Sequence, residues 1–198
     1  WWGIGALCRL LALPELLSAA VLCAAPYLLT GFMHLDGFMD VTDAVRSYRS
    51  LERRREILKD SHVGSFAVIG AALLLLFQYS GCASLVGTGR LGVLALIPVV
   101  SRCCSVLAIQ LLPPMQTSQY AHRQVHWVLP AVTLAAAVGF GFWRGTDCGI
   151  PLLAVLAGFG LALLRAYRSL KGMNGDISGY CISLSELAGL WALAILNR

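Results

Sequence analysis

Three aspartates after the first apolar stretch are the residues whose types and spacing best suit chemistry. Asp36, Asp40 and Asp43 stand at i, i+4 and i+7. On a helix this spacing places all three carboxylates on one face. At about 6 Å and an effective dielectric of about 20, each neighbouring pair would repel by about 3 kcal/mol. A divalent cation removes that repulsion, and hard oxygen ligands favour magnesium or manganese.

The alternative for these aspartates is that they are solvated, spread apart and cap the starts of helices. Their neighbours in the run Gly31–Asp43 are mainly phenylalanine, methionine and other apolar residues. These apolar neighbours offer few polar partners to three carboxylates on one helical face. The pattern therefore favours a metal site, and we predict Mg²⁺ as the cofactor.

Further polar residues stand in or beside apolar segments. Lys59, Asp60 and Ser61 close the polar stretch, and the glycine-rich run 172–179 carries Asp176 as its one acid. Backbone N–H groups in glycine-rich loops can approach phosphate closely. Arg102 and Glu186 stand within apolar segments. An unpaired charge there costs several kcal/mol, so both are expected to face polar partners.

Phosphoryl transfer uses acidic residues to hold a metal ion. The metal and nearby basic residues then bind the pyrophosphate. Such chemistry depends on positioning and charge neutralisation more than on a covalent nucleophile. The residues predict a magnesium-dependent enzyme that acts on a phosphate-linked substrate.

The elements that must position these residues are apolar helices. Hydrophobic residues make up 58% of the 198, charged residues 13%, and the mean hydropathy is +0.75. A soluble domain carries about 25% charged residues. We predict an all-α, polytopic transmembrane helix bundle forming a single integral membrane domain over residues 1–198. Six spanning segments are expected, at 10–32, 63–80, 91–112, 127–143, 150–165 and 184–196. Because the chain starts at Trp1 inside an apolar stretch, we expect an N-terminal piece to be missing.

The basic residues predict the orientation. The loops after the first, third and fifth segments carry Arg46, Arg49, Arg53, Arg54, Arg55, Lys59, Arg123, Arg165, Arg168 and Lys171. The opposite side carries Arg9, Arg90, Arg144 and Arg198. The positive-inside rule places 33–62 and 166–183 in the cytoplasm. The bases are explained by orientation, so we expect no nucleic-acid partner, and 44–59 is expected to form a helix on the membrane surface.

In this order the motifs resemble the cobalamin synthase family, the adenosylcobinamide-GDP ribazoletransferases. The likeness runs from about residue 31 to residue 190. It is carried by His34-Leu35-Asp36-Gly37 with Asp40 and Asp43, by Lys59-Asp60-Ser61 with Val63-Gly64, by Ser101-Arg102, and by Gly175-Asp176 with Gly179 and Glu186. The resemblance implies a magnesium-dependent transferase of the bacterial cytoplasmic membrane, with its site facing the cytoplasm. A ribose hydroxyl of alpha-ribazole, or of its 5′-phosphate, would attack the cobinamide-side phosphorus of adenosylcobinamide-GDP, and GMP would leave.

The resemblance also implies roles for single residues. The catalytic set would be Asp36, Asp40, Asp43 and Asp60, of which Asp36, Asp40 and Asp43 would bind Mg²⁺. The substrate-binding set would be His34, Lys59, Ser61, Arg102, Asp176 and Glu186. An aspartate of the first group is a better candidate for general base than His34. The partners would be the two substrates and the lipid bilayer, and self-association into a homo-oligomer stays open.

The chain departs from the family pattern at Ser183, where the family usually carries a carboxylate. Residues 183 and 186 lie about one helical turn apart. With serine there, Glu186 alone carries charge and needs a positive partner or a proton. Our hypothesis is that Glu186 meets Arg102 across the bundle.

Two other function classes stay open. One is a CDP-alcohol phosphotransferase, although its Asp-Gly-x2-Ala-Arg signature is not met: Phe38, Met39, Asp40 and Val41 follow Asp36-Gly37. The other is an ion-coupled transporter in which Arg102 and Glu186 serve coupling ions. That class fits less well, because the chain shows no repeat and its charges gather on one side. Nucleotide-dependent product formation would separate an enzyme from a carrier.

Overall fold

The computed structural model describes residues 1–88, 91–115 and 126–196. Within these ranges the chain is helical, with a single isolated β-bridge between Pro114 and Met173. This confirms the predicted all-α class. The α-helices are α1 (Trp2–Leu10), α2 (Glu15–Leu29), α3 (Met33–Arg46), α4 (Leu51–Ile57), α5 (Ser65–Leu85), α6 (Leu96–Leu111), α7 (Val128–Arg144), α8 (Thr146–Leu170) and α9 (Gly175–Leu196), and a 3-10 helix at Leu91–Ala95 precedes α6.

Among the described residues, four helical stretches are long and apolar enough to cross a membrane. They are α5, the 3-10 helix with α6, α8 and α9. Helices α2 and α3 pass the same test only as a pair, and they meet at an angle of 86°. Counting that pair as one span gives five. Many large apolar side chains of these helices are exposed, as expected of a multi-pass membrane protein in contact with lipid.

Against the six spans predicted, the described residues contain four or five stretches that pass this test of length and apolar composition. Segment 10–32 is interrupted, because α1 ends at Leu10 and Pro14 precedes a second helix of only 15 residues. Segment 127–143 forms α7, whose 17 residues lie at the lower limit for crossing hydrocarbon.

The predicted surface helix at 44–59 is wrong in its bounds. The chain leaves α3 after Arg46, Tyr48 takes a left-handed backbone with φ of 53°, and α4 covers only Leu51–Ile57. Ala44 is fully buried while Tyr48 is 77% exposed, so the two do not share one apolar face. Tertiary packing of α3 on α9 therefore overrides the local periodicity.

Several loops gather at one end of the bundle, which we call the acidic end: the segments 47–64, 112–115 and 171–174. The backbone N–H of Met115 donates to the carbonyl of Met173 at 2.9 Å. Arg55 donates from Nε to the carbonyl of Leu170 and from Nη2 to that of Lys171, both at 3.0 Å, at the end of α8. Three bases used in the orientation prediction lie outside the described residues: Arg90, Arg123 and Arg198.

The core has two apolar clusters. The cluster nearer the acidic end joins α3, α8 and α9 around Val41, Leu170 and Ile177. The second joins α2, α5, α6, α8 and α9 around Leu22 and Leu190. Helix α9 contributes to both, so its first turn is held firmly where the polar residues collect.

Candidate active site

Helices α3 and α9 cross with their backbones in close approach, and this crossing builds the site. A Cβ at Gly37 would stand 2.9 Å from the Cα and the carbonyl oxygen of Asp176, and one at Gly179 would stand 3.0 Å from the carbonyl oxygen of His34. One turn further along α9, the Ser183 hydroxyl donates to the same His34 carbonyl at 3.3 Å. Glycine at both positions allows this approach, which brings α3 against the first turns of α9.

The crossing gathers three carboxylates, which we call the acidic cluster: Asp36, Asp40 and Asp176. Asp36 is exposed, and the other two are partly buried. Asp40 lies in the electrostatic field of Asp36 and Asp176, and no basic residue is among the groups that act on it. The charged groups that act on Asp40 are thus all acidic, and the cluster concentrates negative charge.

The start of α9 sets the place of Asp176. The side chain of Asn174 caps the helix, because its Oδ1 accepts from the backbone N–H of Ile177 at 3.0 Å. Its Nδ2 donates to Asp176 Oδ2 at 2.7 Å. The predicted glycine-rich loop 172–179 is thus shorter than expected, since α9 already begins at Gly175.

Asp43 performs a different task from Asp36 and Asp40. Its carboxylate is buried and accepts from the backbone N–H of Gly64 at 2.6 Å and of Ala67 at 2.9 Å. These are donors of the first turn of α5, where Gly64 has no side chain to cap the helix. A carboxylate at a helix N-terminus also complements the helix dipole. Asp43 therefore caps α5 from α3, and its role as a metal ligand stays a prediction.

The residues of the acidic cluster fit a magnesium ion in their chemistry. In the described parts of the chain, no three histidine, cysteine or acidic side chains lie close enough together to hold an ion by themselves. Mg²⁺ usually takes one or two carboxylates and completes its coordination with water and substrate phosphates. One or two carboxylates of the acidic cluster would match that habit, and the magnesium assignment stays a prediction.

Arg102 and Glu186 form an ion pair across α6 and α9, which confirms the hypothesis drawn from Ser183. Nη1 of Arg102 donates to Oε1 of Glu186, and the Ser101 hydroxyl donates to the same oxygen at 2.8 Å. Nη1 also lies 3.1 Å from Ser101 Oγ and 3.3 Å from the Pro98 carbonyl. Glu186 is buried while the Arg102 side chain is 37% exposed, so the pair is anchored inside and reaches outward through the arginine.

His34 lies between this pair and the acidic cluster. It is partly buried in the first turn of α3, and Arg102 is close enough to act on it electrostatically. Its carbonyl accepts from Ser183, as described above. The structure thus brings His34, Arg102, Asp176 and Glu186 together with Asp36 and Asp40.

Lys59, Asp60 and Ser61 are placed apart from this group. All three are exposed in the loop between α4 and α5. The recorded partner of Asp60 is local: its Oδ1 accepts from the backbone N–H of His62 at 3.0 Å and lies 2.7 Å from His62 Nδ1. The hydrogen bond from the His62 side chain lowers the pKa of Asp60. Their roles in catalysis and substrate binding stay predictions.

The sequence reasoning missed a buried hydroxyl pair between α6 and α9. Ser105 and Ser178 are hydrogen-bonded through their side chains one turn along α6 from Ser101. The signal was present in the i, i+4 spacing of Ser101 and Ser105 within an apolar helix. This spacing does not indicate which helix the serines contact, however, and serine is also common as a small packing residue in membrane helices.

Comparison with known proteins assigns the chain to a family. A family model described as cobalamin-5-phosphate synthase matches residues 1–194. The chain belongs to this family. A relative from Clostridium perfringens (strain 13 / Type A), named adenosylcobinamide-GDP ribazoletransferase, is 35% identical over 194 residues, covering 94% of this chain and 77% of its own length.

Other members of the cobalamin-5-phosphate synthase family carry the same name. The protein from Lachnoclostridium phytofermentans is 35% identical over 197 residues, covering 92% of this chain and 73% of its own length. The protein from Pseudomonas aeruginosa (PAO1) is 34% identical over 187 residues, covering 92% of this chain and 76% of its own length. No solved structure matches the chain. Family membership confirms the resemblance drawn from the motifs and removes the two alternative classes.

Proposed function

We propose that the chain is a membrane transferase that joins adenosylcobinamide-GDP to alpha-ribazole, or to its 5′-phosphate, and releases GMP. Membership of the cobalamin-5-phosphate synthase family and the names of its relatives support this reaction. The observation that carries the site is the close crossing of α3 and α9 at Gly37, which gathers the acidic cluster beside the Arg102–Glu186 pair.

In this reaction a ribose hydroxyl of the acceptor attacks the cobinamide-side phosphorus. A new oxygen–phosphorus bond forms while the bond from that phosphorus to the bridging oxygen breaks, and GMP leaves with that oxygen. The hydroxyl proton passes to a base, for which an aspartate of the acidic cluster is the candidate that we propose. Most of the catalytic effect comes from positioning and from neutralising charge on the phosphates.

Magnesium is the cofactor that we propose. One or two carboxylates of Asp36, Asp40 and Asp176 would hold it, and water and oxygens of the pyrophosphate would complete its coordination. Bound there, the ion would neutralise charge that develops on the phosphates and the leaving group. The proximity of these acids, which act electrostatically on Asp40, supports this assignment.

Arg102 is proposed to bind a phosphate of the pyrophosphate. Its recorded contacts with described residues all use Nη1, and a guanidinium has five N–H donors, so Nη2 and Nε remain for an anion. Glu186 and Ser101 fix the plane of the guanidinium. Arginine suits this task because it stays charged and donates in a rigid fork.

We propose further that the chain resides in the bacterial cytoplasmic membrane with the acidic end in the cytoplasm. Most of the described bases lie in loops or helix ends at or near the acidic end, and the positive-inside rule favours the cytoplasm for that end. Both substrates are charged or strongly polar, so a site that opens to the cytoplasm meets them without their crossing the membrane.

Substitutions in the acidic cluster test the proposal. In full-length protein reconstituted in vesicles, Asp36→Asn and Asp40→Asn should each lower GMP release at least about 100-fold, which corresponds to about 2.7 kcal/mol of transition-state stabilisation. The matched control is Glu56→Gln, which removes an exposed acid paired with Arg53 at 2.7 Å. It should leave the rate unchanged. A near-normal magnesium-dependent rate in Asp40→Asn would overturn the assignment of this cluster.

A further inference from the structure

A cavity of about 320 Å³ opens on the far side of α3 from the acidic cluster. It lies between α3, α5 and α9, and its α3 wall includes Phe38 and Thr42. These residues come two positions after Asp36 and Asp40, which is a rotation of about 200° around a helix. The cavity is therefore separate from the proposed active site.

One wall of the cavity is an apolar stripe of α5. The stripe lines the cavity and is exposed on the surface of a helix that is apolar enough to span a membrane. It consists of Phe66, Ile69, Leu73 and Phe77. The stripe spans 12 residues, from Phe66 to Phe77, or about 17 Å at a rise of 1.5 Å per residue. This is close to half of the roughly 30 Å hydrocarbon thickness. The groove thus has the depth of one lipid leaflet.

The polar rim of the groove lies at the acidic end. Arg46, in the last turn of α3, and Arg165, in α8, both line the cavity and are exposed. Both act electrostatically on Tyr180, which lies on the same wall. Thr42, which also lines the groove, is only 7% exposed, and its buried hydroxyl has no hydrogen-bond partner among the described residues. The rim therefore offers two cations.

A neighbouring cavity of about 370 Å³ extends this basic rim. It shares Val45 and Arg165 with the groove and adds Arg54 and Arg168. The Nε of Arg54 is buried without a partner among the described residues. No acid is among the residues that line either cavity. Among the described lining residues, no carboxylate therefore faces the arginines where the two cavities meet.

These features together select an amphiphile with a negative head. A soluble anion would use the arginines but not the apolar stripe, and a neutral lipid would use the stripe but not the arginines. Basic pockets between membrane helices near the cytoplasmic interface suit anionic lipid headgroups. We propose that this groove binds one anionic glycerophospholipid, with an acyl chain along the α5 stripe and its phosphate between Arg46 and Arg165.

Lipid titration of the purified full-length protein, followed by native mass spectrometry, tests the site. Phosphatidylglycerol should bind more tightly than phosphatidylcholine of the same chain length. Arg46→Gln/Arg165→Gln should weaken phosphatidylglycerol binding about 30-fold, since each base near an anionic headgroup contributes roughly a fivefold factor. Phosphatidylcholine binding should fall much less, because the choline cation offsets the charge of its phosphate. The matched control is Arg49→Gln/Arg53→Gln, which removes the same charge from exposed positions outside both cavities.

A second pair of variants tests the groove without changing charge. Leu73→Trp should narrow it and weaken lipid binding, whereas Leu76→Trp, at an exposed α5 position outside the lining, should not. If the double arginine variant fails to fold, these two tryptophan variants still test whether the groove binds the lipid. Equal binding of the two lipids, or equal losses in the two arginine variants, would overturn the proposal. Displacement of phosphatidylglycerol by inorganic pyrophosphate would overturn it too, because the arginines would then serve a soluble anion.

Discussion

At the scale of single residues, Asp43 shows that equal spacing does not mean equal function. Asp36, Asp40 and Asp43 share one helical face in the sequence pattern. Yet Asp43 is buried against the start of α5, while Asp36 is exposed beside Asp176. The difference arises because α5 approaches α3 at only one of these positions.

The capping role of Asp43 predicts a change in stability. Asp43→Ala should lower the free energy of unfolding by about 1–2 kcal/mol, the usual effect of losing a helix cap. Asp43→Asn keeps one acceptor and should lower it less. Melting temperature in detergent measures both effects. The Mg²⁺ concentration for half-maximal GMP release should stay unchanged in Asp43→Asn, and a raised magnesium requirement with an unchanged melting temperature would instead make Asp43 a ligand.

The ion pair of Arg102 and Glu186 predicts strong coupling between the two residues. Arg102→Met and Glu186→Gln should each reduce activity and melting temperature, because either change leaves the other partner without its contact. The double variant should lose less than the sum, by about 1–3 kcal/mol. A double-mutant cycle on GMP release and thermal stability measures this difference. Additive losses would show that the two residues act independently.

At the scale of elements, the crossing of α3 and α9 depends on glycine. A methyl group at Gly37 would meet the backbone of Asp176, which cannot move aside as a flexible side chain would. The helices would have to separate by a few tenths of an ångström or more. Because the acidic cluster is drawn from both helices, its geometry would change with them.

Gly37→Ala should therefore reduce GMP release and lower the melting temperature. The matched control is Gly160→Ala in α8, where an added Cβ would have no neighbour within 4 Å. That change should leave activity intact and stabilise the helix by up to about 1 kcal/mol, because alanine favours helix over glycine. Equal effects of the two substitutions would mean that close approach at Gly37 does not matter.

At the scale of the whole molecule, the two ends of the bundle carry different chemistry. The acidic end collects the N-termini of α5 and α9, the C-termini of α6 and α8, and the arginines of α4 that donate to the last carbonyls of α8. The opposite end holds the turn between α7 and α8. A membrane orientation that places one end in the cytoplasm therefore exposes the site to only one compartment.

Cysteine labelling in intact cells checks this orientation. In a cysteine-free background, a cysteine at Ser50 should resist an impermeant thiol reagent, and one at Thr146, exposed at the start of α8, should react. Ser50 is exposed and caps α4 at the acidic end, so protection there would come from the membrane and not from burial. After permeabilisation both positions should react. The reverse pattern in intact cells would place the acidic end outside.

The sequence by itself determined the membrane-helical class, the family and most residues of the site. These follow from composition, from apolar runs and from short motifs, which are local properties of the chain. The pairing of Arg102 with Glu186 was also accessible, because two buried charges of opposite sign in apolar helices each need a partner.

Only the tertiary structure decided which acids work together. Local spacing grouped Asp43 with Asp36 and Asp40. The contact of α3 with α5 makes Asp43 a helix cap as well, and the contact of α3 with α9 adds Asp176 beside Asp40. In the structure α3 ends at Arg46, inside the predicted surface helix, and α9 begins at Gly175, inside the predicted glycine-rich loop. Such choices depend on close approach between residues far apart in the chain, and a periodicity within one segment holds no information about the partner that it will meet.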